Sequence, residues 1–512
     1  MVSRMQAKHD ETSTTAAVRL RRRPPRRYRY VRLRWRILFA VIDCVGTLIF
    51  GMGRRAGRWV KRLTRSGATA GLPSSALMKG ALAEGDLTKG DSPIFAAQKS
   101  GQSPGADPRT ILIIQLDHMG DAVLSTGMIS VLRRRWPRAS IEVLVGRWNR
   151  DLLAATDTVD RLHVSRLNRF SRVGRFGWPL AVFWWGWRLR RRRVDLGIDV
   201  RGEFPLALIL WLCGARRRLG WAAGGGGFLL TDSPEFVPDR PETQSRGALL
   251  AELGIPVESA RQFWPVFRPT EAARRSVQER LAQQGLQNRF IAVHISSGTT
   301  AKQWPTEHWR ALVGRLIVEH GLAVVLVGSR QDRTIARSIL TRKVWPGVYD
   351  WTGRCNMVEL AALLERAEVV VGADSGPVHL ATAVGRPVVV LFSGTNRPEQ
   401  WQPHGRDVTV LRHPVPCSPC HRERCPRDGH PCMGELRPER VARAVLETLK
   451  AVGRRAVQEA NLGRDSLEKE RSSSGNCVCH PGAPGKQCGM MIERALLARG
   501  QAAAHTEFPD SL

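Results

Sequence analysis

Short runs of consecutive apolar residues, each ended by Gly, Asp or Ser, recur along this chain. They are TILIIQL (110–116), SIEVLVG (140–146) and VDLGIDVRG (194–202), then IAVHIS (291–296), LAVVLVG (322–328), EVVVGAD (368–374) and PVVVLFSG (387–394). Continuous rather than alternating apolar character marks strands covered on both faces, as in parallel sheets. Between them, residues 124–136, 176–193, 309–320 and 441–452 carry apolar positions at helical spacing. Strand–helix alternation predicts α/β domains with parallel sheets. The first spans 109–285 and the second 286–452. No repeat of 20–50 residues is evident.

The ends differ in character. Residues 1–66 hold 18 Lys/Arg against the three acids Asp10, Glu11 and Asp43, within a chain of 512 residues and net charge +33. Such a field favours anionic partners and says little about fold. Inside it lies ILFAVIDCVGTLIFGMG, residues 37–53. As a helix this run would be about 25 Å long, short for a bilayer span. It contains Asp43 and lacks a clear small-x-small cleavage site. An apolar helix with basic flanks lying on an anionic membrane surface fits best; a true span and a plain basic helix are the alternatives. Residues 67–108 read as a Gly/Ser/Ala/Pro linker, and residues 453–512 as a polar, disordered tail.

Four motifs carry chemistry. Leu116-Asp117-His118-Met119-Gly120-Asp121 links a strand to a helix, and Asp121 is either an N-cap carboxylate or a general base facing a cleft. The stretch from His294 to Pro305 ends a strand in a loop of small hydroxyls followed by Lys302, a set that suits a diphosphate; its glycine spacing is not that of a Walker A loop. Asp374-Ser375-Gly376-Pro377-Val378-His379 follows a buried strand and opens a helix. Ser375 suits the N-cap, Gly376 permits close approach and Pro377 suits the first turn. A helix start at the carboxyl end of a parallel strand is an anion site, and Asp374 and His379 flank it. Last, Cys417, Cys420, Cys425 and Cys432 fall within sixteen positions; a structural zinc site, a disulfide pair and packed thiols are the three readings. Ten cysteines in all are too few for a disulfide scaffold.

Together, ILIIQLDHMGDAVLST, HISSGTTAKQWP, LVGSRQD, TGRCNMVELAALLERA, GADSGPVHLATAVGRPVVVLFSGT and PCSPCHRERCPRDGHPCM resemble glycosyltransferase family nine, the lipopolysaccharide heptosyltransferase family. The resemblance covers about residues 109–451. It implies a GT-B fold, two Rossmann-like doubly wound domains facing a cleft, here with a basic N-terminal extension. It implies inverting transfer of a sugar, heptose by family default, from an ADP-sugar to a lipopolysaccharide core or related lipid-linked glycan, with no cofactor and no metal required. Asp121 matches the family's base. Ser296, Ser297 and Lys302 match its donor-phosphate groups, and Asp374, Ser375, Gly376 and His379 its late donor motif. Asp332 matches a further acidic position. The stretch VDLGIDVRGEFPLAL departs from the family's usual polar-then-basic ending. Sugar nucleotides are cytosolic, so the expected place is the cytoplasmic face of the membrane. The rival class is a non-enzymatic nucleic-acid or anionic-membrane binder using the basic extension. No nucleic-acid motif appears and the aromatics are mostly Trp in apolar runs, so nucleic acid is not an expected partner.

Overall fold

A computed structural model of the chain describes residues 41–47, 107–165, 178–256, 263–286, 289–341 and 345–474. The expectations for residues 1–40, 48–106 and 475–512 lie outside these. The chain divides into two compact units, Met1–Trp264 and Pro265–Leu512.

In the first unit, residues 41–47 are helical (α1). Then follow β1 (Thr110–Gln115), α2 (Met119–Arg135), β2 (Ser140–Gly146), α3 (Arg150–Ala154), β3 (Arg161–Ser165), α4 (Trp178–Arg190), β4 (Leu196–Asp199), α5 (Phe204–Leu212), β5 (Arg217–Gly220) and α6 (Glu242–Glu252). The strands form one sheet in the order β3-β2-β1-β4-β5, with every pair parallel. Successive strand residues point to opposite faces. Ile111 and Ile113 accordingly join Ile141 and Val143 under α2 and α6, while Leu112 and Ile114 join Leu144 under α4 and α5. Both faces of β1 are buried, which is why its sequence reads as an unbroken apolar run.

The second unit holds α7 (Glu271–Gln283), β6 (Phe290–His294), α8 (Thr306–Val318), β7 (Ala323–Val327), α9 (Arg333–Leu340), β8 (Val348–Asp350), α10 (Met357–Glu365), β9 (Val369–Ala373), α11 (Gly376–Ala383), β10 (Val388–Phe392), α12 (Pro398–Trp401), β11 (Val408–Arg412), α13 (Pro431–Gly434) and α14 (Pro438–Ser474). Its strand order is β11-β10-β9-β6-β7-β8, and all pairs are again parallel. Its main core joins Ile291, Val293, Val324, Leu326, Val369 and Val371 to Trp309, Leu312 and Val445 from α8 and α14.

Two expectations shift. The break falls at Trp264–Pro265 rather than at 285–286. The reason is that α7 is tied to α10: Arg274 donates through Nε and Nη2 to the two oxygens of Glu365 at 2.7 and 2.8 Å. Likewise, the polar stretch after 452 is helical through Ser474 rather than disordered. Its Arg, Ala, Glu, Lys and Leu are good helix formers. Among the described residues, no helix is long and apolar enough to cross a membrane.

Candidate active-site residues in each unit

In a doubly wound sheet, ligands bind outside the carboxyl ends of the strands where the strand order reverses. In the first unit that point lies between β1 and β4. Asp117 follows β1, and Arg201 follows β4; the guanidinium pairs with the Asp117 carboxylate across the gap. The Asp199 carboxylate accepts the backbone N–H groups of Arg201, Gly202 and Glu203 at 2.9, 2.9 and 3.1 Å. These bonds curl the chain out of the sheet, so β4 ends at Asp199 and not at 202.

Asp121 lies in the first turn of α2, but the N-cap position belongs to His118. The N-cap reading of Asp121 therefore fails. Its carboxylate faces Arg246 of α6, with Oδ1 3.9 Å from Nη2. Arg246 is itself buried and fully engaged: Nε donates to Ser125 Oγ at 3.1 Å, and Nη1 to the Glu242 carbonyl and carboxylate at 3.0 Å each. The Ser125 hydroxyl donates to Gln115 Oε1 at 2.6 Å, and Gln115 Nε2 donates to Asp117 at 3.2 Å. Burial raises the Asp121 carboxyl from 3.8 to about 7, and Asp117 adds to this; Arg246 and Arg201 pull the other way. A carboxyl poised near neutrality can accept a proton at working pH.

In the second unit the reversal lies between β6 and β9. Asp374, directly after β9, receives Lys302 Nζ at 2.6 Å and Asn396 Nδ2 at 3.0 Å, both on Oδ2. His379 Nε2 is 3.9 Å from Oδ1. Burial alone would raise the Asp374 carboxyl; His379 and Lys302 outweigh it and hold it at about 2. His379 Nδ1 is buried without a hydrogen-bond partner. Ser375 stands at the N-cap of α11, yet its side chain makes no cap bond. Its hydroxyl donates instead to the Ala373 carbonyl at 2.8 Å and lies 3.1 Å from His294 Nδ1. With that one proton committed, Nδ1–H of His294 is the donor to Ser375. Burial lowers the His294 imidazole to about 4, so it is neutral at pH 7. The start of α11 lacks a side-chain cap bond from Ser375, which leaves its first N–H groups uncapped by that residue.

The loop that carries Lys302 is clamped by the cysteine-rich segment. Ala301 N–H and the Thr300 hydroxyl donate to the Glu423 carbonyl at 3.0 and 3.1 Å. His430 Nε2 meets the Ala301 carbonyl at 3.1 Å, and Trp304 Nε1 donates to the Leu436 carbonyl at 2.8 Å. Cys417, Cys420, Cys425 and Cys432 are free thiols. Burial pushes the Cys432 thiol up, and the other three add to this against a bond from Gly394. Among the described residues, no group of three or more His, Cys, Asp or Glu is arranged to hold a metal. Cys432 is buried, Cys420 and Cys425 are partly buried, and Cys417 is exposed.

Lys302, Asp374, Ser375, Gly376 and His379 thus converge at one point. Ser296 is buried after β6, and the Ser297 hydroxyl donates to Thr299 within its own loop at 2.8 Å. Asp332 turns back to Ser329, accepting its N–H at 2.6 Å and closing a capping box on the short turn Arg330–Asp332 that precedes α9. Sequence reasoning missed Arg246, Arg201, Asn396 and His294. Only Arg246 carried a local signal: with Thr243, Gly247, Leu249 and Leu250 it occupies the buried stripe of α6, an odd place for an arginine.

A family model described as "Glycosyltransferase family 9 (heptosyltransferase)" matches residues 184–430. The chain belongs to glycosyltransferase family 9. It is a glycosyltransferase of two Rossmann-like units, the GT-B class. It is 26% identical over 313 residues to lipooligosaccharide heptosyltransferase 2 of Haemophilus influenzae, covering 59% of this chain and 88% of that one. It is also 26% identical over 359 residues to lipopolysaccharide heptosyltransferase 2 of Escherichia coli, covering 67% and 98%. Among solved structures, the E. coli ADP-heptose LPS heptosyltransferase II superposes with a TM-score of 0.54 at 23% identity, over 67% of this chain and 99% of that one.

Proposed function

We propose that this glycosyltransferase moves a heptose from ADP-heptose to a lipopolysaccharide-core or related lipid-linked acceptor, with inversion at the anomeric carbon. The names of the relatives support the sugar, the nucleotide and the acceptor class. The observation that carries the mechanism is Asp121: a mostly buried carboxyl in the first turn of α2, raised by burial to about 7 and facing Arg246.

An acceptor hydroxyl is a weak nucleophile at pH 7. Asp121 within reach of it takes the proton as the oxygen attacks, a contribution of about 10²–10⁴ in rate. Attack from the face opposite the leaving group inverts the sugar carbon. Negative charge then builds on the departing diphosphate. Lys302, His379 and the uncapped start of α11 supply fixed donors for it. Before the donor binds, Asp374 holds the Lys302 ammonium in place; Ser296, Ser297 and Gly376 shape the walls. The second unit has no Asp-x-Asp pair at a strand end, and these fixed donors take the place of a metal. The basic N-terminal segment, residues 1–66, holds the enzyme at the cytoplasmic face of the membrane, where sugar nucleotides are made.

The test is incubation of purified protein with ADP-heptose and a heptose-deficient core acceptor, following ADP release and the anomeric configuration of the product by NMR. An α-configured or β-configured product opposite to that of the donor supports the reading. Retained configuration, or no transfer with any ADP-sugar, defeats it.

A further inference from the structure

The outward side of α4 has the wrong chemistry for water. Its inner positions Val182, Trp185 and Leu189 pack into the core with α5. Its outer positions Leu180, Phe183, Trp184 and Trp187 are 75%, 56%, 48% and 63% exposed. Their spacing, i, i+3, i+4 and i+7, is that of one helical stripe. Exposed apolar residues scattered singly are ordinary, but a continuous stripe marks an interaction surface.

A second element is joined to α4 through the turn at 226–229 and α5. Helix α1 docks on the turn before Gly227–Leu229: the buried Asp43 accepts the Gly226 N–H at 2.7 Å. Gly46 lies so close to the Phe228 ring that a Cβ there would come within 2.4 Å of it. This docking accounts for an acidic residue in an otherwise apolar run. It leaves Val41 and Val45, 54% and 49% exposed, facing outward one turn apart. The turn packs on α5 through Phe228, Leu229, Ala207 and Leu208, and α5 packs on α4. Trp211 of α5 is 40% exposed as well.

Charge selects the occupant. The guanidinium of Arg188 lies 5.3 Å from the Trp184 ring and that of Arg191 lies 5.4 Å from the Trp187 ring. Arg190 and Arg193 are exposed beside them. A second copy of the chain would set these arginines against their own kind. A nucleic acid would bury Leu180, Val41 and Val45 against a charged backbone for no gain. Tryptophan and arginine around an aliphatic stripe are what the headgroup region of an anionic bilayer accepts: rings at the boundary, guanidiniums at the phosphates.

We infer that the outward face of α4, extended by α1, is a docking surface for an anionic lipid bilayer. It is distinct from any anchoring by the basic residues before α1, because it is made of side chains of α4 and α1. The experiment is co-sedimentation of full-length protein with vesicles of phosphatidylcholine alone and of phosphatidylcholine mixed with phosphatidylglycerol, without donor. Trp184→Ser with Trp187→Ser, and separately Leu180→Ser with Phe183→Ser, should each lower partitioning roughly tenfold or more. Trp184→Tyr with Trp187→Tyr should retain it, which excludes a general folding defect. Brominated lipid should quench the wild-type tryptophan emission, and lose much of that effect in the Trp184→Ser, Trp187→Ser protein. Unchanged partitioning and quenching in both serine variants would overturn the inference. So would loss of a concentration-dependent dimer in those variants with vesicle binding intact.

Discussion

Lys302 Nζ lies 2.6 Å from Asp374 Oδ2, joining the loop after β6 to the residue after β9 where the strand order of the second sheet reverses. The pair sets a cation at the mouth of α11 and keeps it there without a ligand. A diphosphate arriving at this point meets a positioned ammonium, the buried His379 ring and a helix start. Replacing Lys302 by Ala should weaken ADP binding by about 10–100-fold, the worth of one charged hydrogen bond, and lower turnover with it. His379→Ala should act in the same direction. Calorimetry with ADP checks both, and unchanged affinity in both would move the diphosphate elsewhere.

The same pair should be visible in acid. Asp374 is held at about 2, below its ordinary 3.8. Its contribution to stability is therefore complete above about 4 and is lost as pH falls toward 2. At neutral pH that contribution is roughly 2 kcal/mol. Unfolding of wild type and Asp374→Asn should differ at pH 5 to about this extent and converge near pH 2. A gap that does not narrow on acidification would show that the carboxylate is not held by its partners.

On the first unit, the pH profile of kcat/KM should report Asp121. The base acts only when ionised, and burial has raised it to about 7. Activity should fall on the acid side through that value. Arg246 favours the ionised form, so Arg246→Met should move the acid limb to higher pH. A limb near 4, or one that ignores Arg246, would leave Asp121 without this role.

The central strands and the opening of α11 are legible in the sequence because both faces of β1, β6 and β9 are covered and their apolar runs are unbroken. The edge strands are not. RRLG in β5 and VYD in β8 are short, half-exposed and interrupted by charge or polarity, so no period shows. The same limit applies to the site. Asp121, Lys302, Asp374 and His379 lie in the local motifs that follow β1, β6 and β9 and are readable there. Arg246 reaches Asp121 across 125 positions, and Asn396 reaches Asp374 from beyond β10. Such partners are products of the sheet order, which single-sequence periodicity does not encode. The α7 segment illustrates the converse: its helical pattern is plain, but long-range pairs such as Arg274–Glu365 and Arg280–Glu359 tell which unit owns it.

Turnover should survive chelation. With Lys302, His379 and the start of α11 receiving the leaving diphosphate as proposed, prolonged treatment with EDTA should leave the rate within a few-fold of the untreated enzyme. Rapid loss of activity while the protein stays folded, restored by magnesium, would replace these donors with a metal.

The central claim is that Asp121 takes the acceptor's proton. Asp121→Asn keeps the size of the side chain and removes the base. Because burial penalises the ionised carboxyl, the variant should unfold no more easily than wild type above pH 7, so lost activity is not lost fold. The deciding measurement is steady-state transfer from ADP-heptose by Asp121→Asn, with ADP affinity measured on the same preparation. The account predicts a rate lower by about 10²–10⁴ with ADP binding within a few-fold of wild type. Turnover near that of wild type would contradict it.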